Sequence, residues 1–234
     1  MTEEFDTANS LLDPLPGEKV PYDKREAICD ELPLGVPTSA VVPDAALELE
    51  TILDDIHVNG GAHLGAVRVL PDERFDWALS RGSSRLLRRR VLSSAALAET
   101  LPELELSADR KHEAFDDIEW EHYPSYTLDG YLTENLVAGG AYYSFLEPPF
   151  QDIDETVPGY EHVPESYGDR KDAKRLAERF VEAVFGERYG EFTVAFTDEG
   201  WCDWFQNISV WNRTYFCFDR RTRLVWVLAV TGSD

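Results

Sequence analysis

The densest set of side chains able to do chemistry lies between His112 and His122, where HEAFDDIEWEH holds two histidines and five acids. Wound as a helix, this segment puts His112, Asp116 and Glu119 on one side, and mixed histidine–carboxylate sets bind divalent metals. Extended, it lines up Asp117, Glu119 and Glu121 as a hard oxygen site for Mg²⁺ or Mn²⁺ would require. Ile118, Trp120 and His122 then share the other face. The alternation over residues 115–123 is the strand period, and a strand with a solvated acidic face needs no metal. His112, Asp116, Asp117, Glu119 and His122 are therefore candidate metal ligands of a His/carboxylate enzyme. The expected reading is a chain without any cofactor, with a divalent metal at these residues as the alternative.

His57 and His63 flank the turn VNGGA. A histidine beside glycines could serve as a general base near neutral pH, yet Asn-Gly-Gly is also ordinary turn chemistry. The glycine spacing is not that of a phosphate-cradling loop. No Gly-x-Ser-x-Gly elbow occurs, and no cysteine has a histidine near it in sequence, so nucleophilic hydrolysis lacks a local motif. Arginines 81, 85, 88, 89 and 90 give a ten-residue block of charge +5. Guanidinium forks suit a phosphate-bearing ligand, but pairing with the chain's own acids is the expected use.

Trp201, Trp204, Phe205 and Trp211, interleaved with Asp203 and Asn207, form the richest aromatic segment. Such rings either fill a sheet core or anchor a partner. On the second reading Trp201, Asp203, Trp204 and Trp211 contact the partner, joined by Asp152, Asp154 and Glu155 from an acidic loop at 147–169.

The elements that must position these groups are read from period and punctuation. Residues 1–43 carry six of the 13 prolines and read as an extended arm, with residues 44–234 forming one α+β domain. Asp44 opens a helix with Ala45, Leu49, Ile52, Leu53 and Ile56 on one face. A strand over 63–70 and a helix over 83–99 follow. Two apolar runs around Gly139-Gly140 suggest a tight hairpin, or else a helix broken by the glycines. Residues 147–169 hold four prolines and seven acids without a Lys or Arg, a long loop or sub-domain boundary. Asp169 caps a helix running to Phe185, where Gly186 stops it. Strands at 191–197, 203–210, 214–219 and 223–231 complete an antiparallel meander. A helix followed by such a meander is an α+β signature. The 203–210 stretch is apolar on both faces if it is one regular strand.

The whole chain has 234 residues, with 45 acids against 22 bases, a formal net charge of -23. Hydrophobic residues make up 43% and aromatics 12%, which excludes a disordered chain. The charge disfavours nucleic acid and anionic membrane as partners. No apolar run of spanning length occurs, and the acidic N-terminus is no secretory signal. Cys29, Cys202 and Cys217 lack metal-ligand spacing, which suits a reduced, cytoplasmic protein. Two accounts of the acidity remain besides solubility: a surface for a basic protein partner, as in inhibitor or immunity-type proteins, or adaptation of a structural or regulatory protein to a salt-rich host. The expected function is an acidic, soluble binding protein with a basic macromolecular partner, and the 112–122 enzyme is the alternative.

Overall fold

The C-terminal strands carry apolar residues on both faces, so both must be covered, and the architecture follows from that demand. The computed structural model describes residues 26–27, 29–37, 42–72, 84–106, 115, 118–146, 166–205 and 210–232. In chain order the elements are β1 (Leu34–Gly35), α1 (Asp44–Ile56), β2 (Gly61–Val69), α2 (Ser84–Leu92), α3 (Ala95–Thr100), β3 (Glu121–Tyr123), α4 (Leu128–Ala138), α5 (Arg170–Phe185), β4 (Phe192–Thr197), β5 (Arg213–Asp219) and β6 (Leu224–Thr231). The six strands form one antiparallel sheet in the order β1-β2-β6-β5-β4-β3. Helices pack on it, giving a single α+β domain.

Side-chain parity divides the sheet into two apolar faces. On the first, Leu64, Val194, Tyr215, Cys217, Trp226 and Leu228 meet α1, α4 and α5. On the second, Val67, Ala195, Phe216, Phe218, Val225 and Val227 meet α2, α3 and the 201–205 segment. Every residue of β6 is buried. Full burial of each large side chain contributes roughly 1.5–3 kcal/mol.

Helix α5 forms where the local signals place it. Asp169 accepts from the backbone N–H groups of Lys171 and Asp172, and the Asp172 side chain closes a capping box by accepting from Asp169 N. Ala173, Leu176, Ala177, Phe180, Val181 and Phe185 form the buried stripe, and Gly186, with φ 61°, ends it. Phe185 then stacks on Phe192 at 4.1 Å, tying the helix to β4. Helix α1 is pinned to β2 by two of its acids, since Glu50 and Asp54 accept from the N–H groups of Leu64 and Ala62.

Four expected elements differ. The strand read over 115–123 is, among the described residues, a strand only at Glu121–Tyr123. The 83–99 helix is two helices, because Ser94 turns its hydroxyl onto the N–H of Leu97 and caps α3 afresh. Gly139-Gly140 makes no hairpin; it terminates α4. Gly139 has φ 66°, and a Cβ there would lie 2.1 Å from the Tyr143 carbonyl oxygen. Gly139→Ala is expected to cost about 2 kcal/mol from this backbone conformation, read as a drop in the urea midpoint. An unchanged midpoint would show that the turn relaxes freely. The 203–210 strand is absent from the described part of that stretch, where residues 202–205 form a turn. Residues 206–209, most of the 147–169 loop and the first 25 residues of the arm lie outside the described residues. The described part of the arm is docked: Leu32 joins the second core and Leu34–Gly35 adds the edge strand. Among the described residues, no helix is long and apolar enough to cross a membrane.

Candidate functional site

A cleft of about 450 Å³ opens beside β4 and β5 on the first face, closed on one side by α4. Its wall is aromatic. Tyr123, the last residue of β3, stacks on Tyr131 of α4 with ring centroids 3.9 Å apart, and Phe196 of β4 lies 5.5 Å away on the same ring. Tyr215 of β5 continues the row, 5.3 Å from Phe196. The strand register makes this row: Tyr123 pairs with Val194 and Phe196 with Tyr215, so their side chains rise on one face. On α4, Tyr131, Glu134, Asn135 and Ala138 share the side turned to the cleft.

Charge is arranged around these rings. Glu134 and Asp198 line the cleft and are exposed. The Tyr123 hydroxyl donates to Glu121 at 2.7 Å, and burial together with that carboxylate pushes the phenol pKa up. Arg213, at the start of β5, holds its guanidinium 6.0 Å from the centre of the Phe196 ring and donates to the carbonyls of Val210 and Asn212. The aromatic wall thus already faces one cation.

His57 lies beneath this cleft, 1% exposed, at the end of α1. Among the described residues, neither ring nitrogen has a hydrogen-bond partner. Burial lowers its pKa to about 4; the neighbouring Asn135 opposes the shift and Arg213 adds to it. The ring is neutral at pH 7 and closed in by the backbones of Gly140 and Gly232, whose added Cβ atoms would lie 3.3 and 3.4 Å from Nδ1. It can accept a proton, but it offers no open face to a substrate. His63 points to the opposite side of the sheet and packs on Trp204 at 4.9 Å, so the two histidines around VNGGA do not form one site.

The aromatic segment separates. Trp201 is a core residue: it is 2% exposed, donates to Thr214 Oγ1 at 2.8 Å and packs on Phe115 and Phe205. Its place in the second core removes it from any contact surface. Trp204 is half-buried against His63 and Phe205, and Asp203 is exposed. Trp211 is half-buried and lines the cleft. Asp152, Asp154 and Glu155 lie outside the described residues.

Of the five candidate metal ligands, His112, Asp116 and Asp117 also lie outside. Glu119 is exposed, and its backbone N–H donates to Glu199. His122 sits 3.5 Å from the guanidinium of Arg88, a neighbour that disfavours a second cation. Among the described residues, no three His, Cys, Asp or Glu side chains converge as a metal site requires.

The arginine block is only partly self-paired. Arg89 bridges Glu26 and Asp30 at 2.6 and 3.3 Å, and Arg90 donates to the Leu32 carbonyl. Arg81 lies outside the described residues. Sequence reasoning missed Tyr123, Tyr131, Glu134, Phe196, Asp198, Arg213 and Tyr215 as a site. The one local signal was the Tyr131, Glu134, Asn135, Ala138 spacing, which becomes a helix face once α4 is recognised. The chain matches no protein-family model, and no curated protein matches it with significant similarity.

Proposed function

We propose that this chain is a binding protein whose aromatic cleft takes a lysine or arginine side chain from a basic protein partner. One observation carries the reading: the row Tyr123, Tyr131, Phe196 and Tyr215 is bordered by the carboxylates of Glu134 and Asp198, two charges that outweigh that of Arg213 on the same wall. Aromatic faces attract cations, and the carboxylates both steer and pair them. The net charge of -23 supports the reading by raising the encounter rate with a basic protein. Trp211, one of the rings expected to contact a partner, lines this cleft. Blocking a basic enzyme, as an inhibitor or immunity-type protein does, is one way such binding would act. The three buried cysteines with no disulfide between them fit a reducing compartment.

The test uses a labelled oligo-arginine peptide, titrated by fluorescence anisotropy across a salt series. Glu134→Gln with Asp198→Asn is expected to weaken binding about tenfold. Glu103→Gln with Glu105→Gln removes equal charge beside the second face and is expected to change it far less. Equal losses in the two double variants would mean that general acidity, not this cleft, binds the peptide.

A further inference from the structure

On the other face of the sheet, a second cavity of about 450 Å³ is lined by Arg85, Arg88, Phe115, Ile118 and Trp120, with Glu119 also on its wall. Arg88 is its central feature. The residue is 6% exposed, and among the described residues its Nε has no hydrogen-bond acceptor. Its guanidinium lies 5.1 Å from the centre of the Trp120 ring, and Nη1 is 3.5 Å from His122 Nε2. No carboxylate among the described residues pairs with it, although Arg89, one position on, bridges two. In a chain with 45 acids and 22 bases, a carboxylate is the easiest partner to supply. A buried cation left without one carries a desolvation penalty that a ring face and a single imidazole contact offset only in part. Burial, and then the charge of Arg85, push the Arg88 pKa down to about 10, so it is still a cation at pH 7.

We propose that this cavity binds a small organic anion, its phosphate or carboxylate head held by Arg88 and Arg85 and its apolar body laid against Phe115, Ile118 and Trp120. Guanidinium forks bind both head groups through paired N–H donors. The volume exceeds what a bare oxyanion fills, and the aromatic and aliphatic lining suits a ring-bearing or branched body. Trp120 already stands under the guanidinium, so the cation and the apolar floor form one continuous surface. Glu119 opposes an anion and weakens the site; it also gives the test a direction that a merely structural role would not.

The experiment is calorimetric titration of the full chain with phenyl phosphate, benzoate and inorganic phosphate at fixed chloride concentration. Saturable binding of phenyl phosphate or benzoate, tighter than that of inorganic phosphate, is the expected result; which of the two binds identifies the head group. Arg88→Met is expected to lower affinity about tenfold or more without lowering the melting temperature, because an apolar side chain replaces an unpaired buried charge. Arg85→Gln, nearer the surface, covers the case in which Arg88→Met fails to fold, and is expected to weaken binding in a folded protein. Glu119→Gln is expected to tighten it. In the wild type, the His122 ring signals should move as ligand is added. No saturable binding, or equal affinity in the wild type and both arginine variants, would overturn the proposal.

Discussion

Between pH 7 and pH 4 the folded chain is expected to lose about 3 kcal/mol of stability through His57 alone. The ring titrates near 4 when folded, against 6.5 for an ordinary histidine. Between those values the unfolded chain binds the proton and the folded chain does not, so stability falls as pH falls. The contribution is complete above the ordinary pKa and gone once the pH passes below the folded one. Other groups also shape the pH dependence of so acidic a chain; Glu50, whose carboxyl burial pushes up, acts in the opposite direction, because the folded chain takes its proton first as pH falls. The measurement is therefore a difference. Urea midpoints of the wild type and of His57→Phe are compared at pH 7, 6, 5 and 4.5. Phe keeps the ring that packs against Gly140 and Gly232, and removes the titration. The two curves should run close at pH 7 and diverge below 6.5, with the variant losing less. Parallel curves would mean that the buried ring reaches water or a partner when protonated.

Arg188→Met is expected to destabilise the fold by about 3–5 kcal/mol, the usual consequence of stranding one charge of a buried pair. Arg188 follows the end of α5, and its Nη1 lies 2.8 Å from Oδ1 and 2.7 Å from Oδ2 of Asp219, a carboxylate with no exposure at the end of β5. Asp219 Oδ1 also accepts from the N–H groups of Arg221 and Thr222, holding the β5–β6 turn in which Arg223 takes φ 57°. Removing the guanidinium leaves a buried anion inside that turn. The discriminating variant is Arg188→Met with Asp219→Asn. The neutral amide oxygen can still accept from the turn, so the double variant should be more stable than Arg188→Met alone. Strict additivity in chemical denaturation would show that the two groups are not energetically coupled.

Both effects depend on residues distant in the chain, and that separates what could be read in advance from what could not. Helix α5 was legible end to end, because an aspartate cap, a 3.6-residue apolar stripe and a terminal glycine are all signals within one short segment. The same holds for β4, β5 and β6 and for the β5–β6 turn at 219–222, whose apolar runs and turn residues are local signals, but not for the β4–β5 connection, read as holding a strand at 203–210. The α+β class followed from these elements. The requirement that something cover both apolar faces of the C-terminal strands also followed, although what covers them did not.

Elsewhere the local signal admitted two outcomes, and packing chose between them. Gly139-Gly140 suits a hairpin as well as a helix end; the close approach of the Tyr143 carbonyl selects the latter. The aromatic run at 201–205 suits a strand or a contact surface, and Trp201 instead closes the second core from a turn. Arg88, Arg89 and Arg90 are indistinguishable in sequence. Only the placement of Glu26, Asp30 and Leu32 beside α2 decides that Arg89 and Arg90 find partners there and Arg88 does not. The aromatic cleft is the extreme case. Tyr123, Tyr131, Phe196 and Arg213 span 90 residues and His57 lies further off still, so no spacing rule joins them. Composition, period and capping determined the class of this protein and its acidic character by themselves. The register of β3, β4 and β5 and the seating of α4 decided where its sites lie, because side chains converge only after long-range pairing has set which faces meet.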